Sequence, residues 1–311
     1  MTKPVLQHHY QDPRPYPKGV AYMDGQYIPM NEAKISVLDW GFLRSDATYD
    51  VVHAWEGAFF RLDKYVDRFL NSVEKLRMTL PVERTELEDI LHNCVGLSGL
   101  QNAYVEMICT RGSSPTFSRD PRDADNRLIC FAIPLGSIAN EDQQKRGLHI
   151  AISDVVRIAP QSVDPTIKNY HWLDLIAGLF EAYDRGAENT LLVDLDGNIT
   201  EGPGFNIFAV KDGVVYTPSS GVLEGITRQT VIDLCAELGI DCKIQSLPKE
   251  NFLNADEVFL SSTAGGPQFV SKVDDTILQN SAAGPVFSKI KDLYWQKHND
   301  ANWITPINYD E

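Results

Sequence analysis

Acidic residues followed by glycine punctuate this chain between alternating apolar runs, at Asp24-Gly25, Glu56-Gly57, Asp196-Gly197 and Asp212-Gly213. Such dipeptides accept the positive φ angles that two-residue hairpin turns demand, so they commit much of the chain to antiparallel strands. The first closes a hairpin over residues 20–30, and the second leads into Ala58-Phe59-Phe60-Arg61-Leu62. The apolar period then changes. Tyr65, Val66, Phe69, Val73 and Leu76 recur at helical spacing over 63–78, with Pro81 as the stop, and a second helix is expected over 83–97. Strands over 103–110 and 128–134 flank a loop, 111–126, rich in Gly, Ser, Pro and Arg. A loop of that length inside a compact domain usually carries function.

Residues 136–146 are polar and lack apolar periodicity, which sets a boundary. The reading is an N-terminal α/β domain over 1–136 that bears the loop, a linker over 137–146, and a larger domain over 147–311. In the second domain, strands are expected over 149–156, 190–194, 205–210, 214–217 and 258–261, and helices over 172–185, 227–238 and 285–298. Short strands interspersed with helices give an α+β class, with a barrel-like mixed sheet in the second half. The Pro-, Tyr- and His-rich arm over 1–18 is read as extended along a surface, with His8 and His9 solvated rather than holding a metal.

Bulk properties exclude several function classes. The chain has 311 residues, 43% hydrophobic and 23% charged, enough apolar content for ordered cores. Its net charge of −15 repels nucleic-acid phosphates and anionic lipid. Neither a signal peptide nor a membrane-spanning run is read from the sequence. Five cysteines, an odd number without a C-x-x-C pair, are read as buried free thiols in a reducing cytoplasm. Small molecules remain as the partners.

The chemistry is read from four segments. Lys168 lies in Thr166-Ile167-Lys168-Asn169-Tyr170-His171-Trp172, after Asp164-Pro165. Taken singly it fits a solvated charge. Downstream come Thr200-Glu201-Gly202-Pro203-Gly204-Phe205-Asn206, Gly225-Ile226-Thr227-Arg228 and Ser261-Ser262-Thr263-Ala264-Gly265-Gly266. An amine, a carboxylate and two hydroxyl-bearing turns are what a protein needs to hold pyridoxal phosphate. The amine forms a Schiff base, the carboxylate pairs with the pyridine nitrogen, and the turns bind phosphate. Glu201 equally suits an exposed turn after the Asp196-Gly197 hairpin. Thr227 equally suits an ordinary helix N-cap, although the amides there make a natural anion site. Thr263 offers a second hydroxyl, and Arg61 a bidentate phosphate contact.

Those segments, together with Phe59-Phe60-Arg61-Leu62-Asp63-Lys64-Tyr65-Val66-Asp67-Arg68 and Gly221-Val222-Leu223-Glu224-Gly225-Ile226-Thr227-Arg228, match in order and spacing. The chain resembles the fold-type IV pyridoxal-phosphate aminotransferases over residues 20–295. The resemblance implies that Lys168 is the Schiff-base lysine and Glu201 the partner of the pyridine nitrogen. It implies that Arg61, Ile226, Thr227 and Thr263 hold the phosphate. Leu223 would pack on the ring, with Gly204, Phe205 and Asn206 lining the cofactor, which makes 147–311 the cofactor-binding domain. It also implies a homodimer with the active site at the subunit interface.

Within that class, Ala103-Tyr104-Val105-Glu106-Met107-Ile108-Cys109-Thr110-Arg111-Gly112, Trp172 and Thr263-Ala264-Gly265-Gly266 are most similar to the R-selective amine transaminases. Trp40-Gly41-Phe42-Leu43-Arg44-Ser45-Asp46 is similar too, but Arg44 stands where many of that subgroup carry histidine, and Tyr170 where a less aromatic residue is common. Both departures bear on substrate range rather than reaction type. The expected reaction moves an amino group from an R-configured amine or D-amino acid to a keto acid such as pyruvate. Tyr49, Tyr104, Glu106, Trp172 and Ala264 would line the substrate site, with Arg119 on the loop, or Arg44, binding a carboxylate. Branched-chain L-amino-acid transamination and an aminodeoxychorismate-lyase-like reaction are the competing enzymatic readings. An acidic binding protein that has lost its cofactor is the non-enzymatic one.

Overall fold

The computed structural model describes residues 19–278 and 281–309, so the N-terminal arm, with His8 and His9, lies outside the described residues. The chain divides into two compact units. The first takes residues up to Gly136, returns for Ile167–Tyr170, and takes the chain again from Asp300; the second holds Ser137–Thr166 and His171–Asn299.

The first unit is built on an antiparallel sheet. Its strands are β1 (Val20–Met23), β2 (Gln26–Pro29), β3 (Ala47–Trp55), β4 (Ala58–Phe60), β5 (Ala103–Ser113), β6 (Asp125–Pro134) and, from the C-terminal end, β15 (Ile304–Pro306). The order across the sheet is β15-β4-β3-β5-β6-β1-β2. Both expected hairpins form, and Asp24, Gly25, Glu56 and Gly57 all take the left-handed backbone that such turns need. Helix α1 (Trp40–Arg44) is short. Helix α2 (Leu62–Lys75) buries Leu62, Tyr65, Val66, Phe69 and Val73, and α3 (Arg84–Ser98) buries Leu87, Ile90, Leu91, Cys94 and Val95. Helix α2 ends at Lys75, with Arg77 at φ 52°, so a left-handed residue rather than Pro81 stops it. The expected 111–126 loop is shorter than read, because β5 runs on to Ser113 and β6 begins at Asp125.

The second unit holds β7 (Leu148–Val156), β8 (Asn189–Val193), β9 (Asn206–Lys211), β10 (Val214–Pro218), β11 (Cys242–Gln245), β12 (Glu257–Ser262), β13 (Gly266–Val273) and β14 (Thr276–Ile277). Their order is β11-β10-β9-β12-β13-β7-β8, with β14 on β13. The helices are α4 (Glu141–Arg146), α5 (Leu173–Asp184), α6 (Ile226–Glu237), α7 (Lys249–Leu253) and α8 (Pro285–Gln296). Residues 137–146 are therefore not a bare linker: they join this unit and carry α4, closed by an Asn140–Gln143 capping box. Helix α5 joins parallel β7 and β8, and α6 joins parallel β10 and β11, two crossovers that bring parallel strands side by side.

That topology gathers one end of the second sheet. Ser261 of β12 pairs with Asn206 of β9, and Ser262 pairs with Gly266 of β13, so the end of β12 meets the starts of β9 and β13. Because β10 runs antiparallel to β9, its C-terminal end falls at the same edge. Beneath lies an apolar core that includes Leu148, Ile150, Ile207, Phe252 and Leu260.

Candidate active site

In the first unit the predicted residues form a wall. Cross-strand register puts Val51 opposite Glu106, His53 opposite Tyr104 and Tyr49 opposite Ile108, so Tyr49, Tyr104 and Glu106 share one face of β3 and β5. The segment Ile167–Tyr170 belongs to this unit, which corrects the placement of Lys168 in the C-terminal domain. It is pinned to β3: the Lys168 carbonyl accepts from Tyr49 N–H at 3.1 Å and from Thr48 Oγ1 at 2.7 Å. Lys168 Nζ stands 4.5 Å from the centroid of the Tyr49 ring. Tyr49 stacks on Tyr170 at 4.3 Å. Tyr170 and Tyr104 donate to the two oxygens of Glu106, at 2.8 and 3.1 Å.

Burial shapes the charges along this wall. Glu106 is 8% exposed, and burial raises its carboxyl pKa above the usual value; the two phenol hydrogen bonds and the Lys168 charge oppose the shift. Burial, then the carboxylate, push both phenols far up, so Tyr104 and Tyr170 stay protonated donors. No ion pair engages Lys168 Nζ among the described residues, as a nucleophilic amine requires.

Arg61, at the junction of β4 and α2, takes a left-handed backbone with φ 56°. Its N–H donates to Trp303 O at 2.7 Å and its guanidinium lies 4.6 Å from the Trp303 ring centroid. A non-glycine residue held there is a strained position of the kind found at ligand sites. The expected carboxylate binders are not joined to the wall. Arg44 is exposed and stacks on Trp40 at 3.6 Å, and Arg119 is exposed. Among the described residues no hydrogen bond, ion pair or ring contact links either to Lys168, Tyr49 or Glu106. Arg111 is committed to Asp46 and to the carbonyls of Leu76 and Arg77.

In the second unit Glu201 is not a surface turn residue: it is 7% exposed. Thr200 pairs with Leu192, and the Leu192 N–H donates to Glu201 O at 3.1 Å, which fixes the backbone. Oε2 accepts the Leu223 N–H at 2.9 Å, and Oε1 accepts Arg157 Nη2 at 3.2 Å. Sequence reasoning misses Arg157 and its second partner, Asp174; the signal available is an arginine directly after the apolar strand over 149–156.

The turn before α6 is equally constrained. Asn206 Nδ2 donates to Leu223 O at 2.9 Å, and a side chain at Gly225 would meet Asn206 Oδ1 at 2.0 Å, so only glycine allows this packing. Gly225 gives α6 no side-chain cap, and the helix opens on Ile226 and the buried Thr227. Amides at such a start attract an anion. Ser262 Oγ ties the Thr263 turn to Gly204 O at 2.9 Å and accepts the Ala264 N–H at 3.2 Å. The Trp172 ring faces Gly204, where a Cβ would meet it at 3.6 Å. The Phe205 ring packs on Gly202 within the apolar core.

By residue type, an amine that no ion pair engages among the described residues, a buried carboxylate held by a guanidinium and an amide, and a helix start without a side-chain cap are the donor set that pyridoxal phosphate needs, so the residues fit that group.

Comparison with known proteins agrees. Residues 47–273 match the amino-transferase class IV family, and the chain belongs to that family. It is a pyridoxal-phosphate-dependent aminotransferase. A putative branched-chain-amino-acid aminotransferase of Methanocaldococcus jannaschii is 30% identical over 293 residues, covering 93% of this chain and 99% of the relative. The branched-chain-amino-acid aminotransferase of Pseudomonas aeruginosa is 28% identical over 283 residues, covering 89% and 92%. Among solved structures, the T.th. branched-chain amino acid aminotransferase with pyridoxamine 5'-phosphate superposes with a TM-score of 0.87 at 29% identity, covering 94% of this chain and 99% of that one. These relatives carry branched-chain names, which match the competing branched-chain reading better than the R-selective one.

Proposed function

We propose that this enzyme moves the amino group of an R-configured primary amine or a D-amino acid to a keto acid such as pyruvate. The carrying observation is Glu106, a buried carboxylate on the wall that also bears Lys168. Two hydroxyl donors on its two oxygens fit the ionised form, which only accepts. A substrate carboxylate about 4 Å from it would be repelled by about 4 kcal/mol at an effective dielectric of about 20, so the carboxylate of a D-amino acid or of pyruvate is turned away from this wall. An apolar or cationic group suits the same wall, and the stacked tyrosines give it apolar area. Preference for the R hand rests on the resembling segments.

In this reading Lys168 holds the cofactor and then moves the proton at the substrate α-carbon. Glu201 pairs with the ring nitrogen, Arg61, Ile226, Thr227 and Thr263 bind the phosphate, and Leu223, Gly204 and Asn206 border the ring. Tyr49, Tyr104, Trp172 and Ala264 border the substrate. Pyridoxal phosphate supplies the electron sink.

A second reading, branched-chain L-amino-acid transamination, is favoured by the names of the relatives. A panel of R-1-phenylethylamine, D-alanine and L-leucine, each with pyruvate and the cofactor-loaded protein, separates them. Faster turnover of the first two is expected; dominance of L-leucine replaces the first reading with the second.

A homodimer is proposed as well. Exposed apolar side chains cluster at Val37, Leu38, Phe42 and Leu43 in the first unit, and at Leu173 and Phe180 in the second. Sedimentation at twice the chain mass is the expected result. Cytoplasmic location is proposed on five cysteines, all free and four of them buried. No helix among the described residues is long and apolar enough to cross a membrane.

A further inference from the structure

We propose that Arg157 is a positioning residue that decides where the proton sits between Glu201 and the cofactor ring nitrogen; the inference rests on the assignment of that nitrogen to Glu201. Arg157 follows β7 directly. Its Nε and Nη2 donate to Glu201 Oε1 at 3.3 and 3.2 Å, and its Nη1 donates to Asp174 Oδ2 at 2.6 Å. Asp174, in the first turn of α5, also accepts the Ile158 N–H at 2.8 Å. The guanidinium is thus held from both sides. Side-chain exposure is 8% for Arg157, 9% for Glu201 and 16% for Asp174, so water screens these charges little.

The consequence follows from proton affinity. A carboxyl group in so dry a place, without a cation, keeps its proton. It would meet a ring nitrogen as a neutral O–H donor and leave that nitrogen uncharged. With a guanidinium on Oε1 the carboxylate is the favoured form, and the shared proton belongs to the nitrogen as N–H⁺ facing O⁻. Arg157 touches Glu201 directly and reaches the nitrogen only through it, so it lowers the proton affinity of the carboxylate more than that of the ring. One proton changes owner between oxygen and nitrogen, and no electrons are exchanged. The Leu223 N–H on Oε2 works in the same direction. A protonated ring accepts electrons from the substrate carbon; an unprotonated one does so poorly.

The test is ¹⁵N magnetic resonance of the holoenzyme loaded with cofactor labelled at the ring nitrogen, a readout independent of turnover. The wild-type protein is expected to show a protonated nitrogen. Arg157→Gln is expected to move the signal toward the unprotonated value and to slow turnover roughly ten- to a hundredfold, while Arg157→Lys, which keeps a cation, restores the protonated signal. A protonated nitrogen in Arg157→Gln overturns the proposal. If Arg157→Gln yields no holoenzyme, Arg157→Lys decides, because an unprotonated nitrogen there contradicts a charge-based role. Glu201→Gln separates the two layers. Loss of the ring proton in Glu201→Gln but not in Arg157→Gln refutes Arg157 alone; its retention in both refutes the assignment of Glu201.

Discussion

Tyr170, two positions beyond Lys168, donates its phenol to Glu106 at 2.8 Å, and so ties the lysine segment to the middle of β5. The bond places a buried carboxylate on the same wall as the reactive amine, and its cost is measurable. Because the carboxyl pKa of Glu106 is raised in the folded protein, its ionisation opposes folding. The penalty is absent below the ordinary carboxylate pKa of 4.5 and accumulates as pH rises through the raised folded value. Glu106→Gln, whose amide accepts from one phenol and donates to the other as the protonated acid does, should match wild type in acid and become relatively more stable toward neutral pH. Each unit of raised pKa is worth about 1.4 kcal/mol. Melting temperatures across pH check this; a difference independent of pH would refute it.

Asp50, fully buried in β3, accepts Arg68 Nε and Nη2 of α2, both at 2.7 Å. Asp50→Ala removes both of these bonds from a guanidinium that is largely buried. A loss of about 3–5 kcal/mol is expected in denaturant unfolding, since removing one partner leaves a buried charge. A loss below about 1 kcal/mol, the scale of a surface pair, would show that the bridge does not hold α2 to the sheet.

Arg119 is expected to bind the keto-acid carboxylate from its exposed loop, with Arg44 as the rival. Arg119→Ala should raise the KM for pyruvate about tenfold and leave the half-reaction with R-1-phenylethylamine unchanged. Single-turnover rates for both half-reactions in both variants decide. Intact pyruvate binding in Arg119→Ala, with loss in Arg44→Ala, moves the role to Arg44.

What is legible in the sequence is local. Asp24-Gly25 and Glu56-Gly57 announce hairpins because the turn chemistry sits within two residues. Strand β13 escapes a sequence reading because it opens on Gly266-Pro267, which reads as a turn, and β11 because it is only four residues long and mostly exposed. The direction of the Phe205 ring is not legible either: its neighbours Gly204 and Asn206 face the turn segments while its own ring turns to the core. Arg157 and Glu201 are 44 positions apart, and nothing in either segment names the other. The placement of Lys168 in the first unit depends on a strand contact with Thr48 and Tyr49 that no periodicity reveals.

His298 supplies a pH prediction of the opposite sign. Burial holds its imidazole pKa down at about 4, against the ordinary 6.5, while Nδ1 meets the Tyr294 carbonyl at 3.0 Å. The unfolded chain binds a proton that the folded one refuses, so this contribution is fully present above 6.5 and is lost as pH falls toward 4. His298→Gln should flatten the acid side of the stability curve; an unchanged acid limb would count against it.

Lys168 carries the central claim, and chemical capture of the cofactor tests it most directly. Borohydride reduction of the holoenzyme fixes pyridoxal phosphate to whichever amine holds it, and peptide mass mapping locates the adduct. The added mass is expected on the peptide containing Thr166-Ile167-Lys168-Asn169, with no adduct in Lys168→Ala. An adduct on any other lysine, or one that persists in that variant, would contradict it.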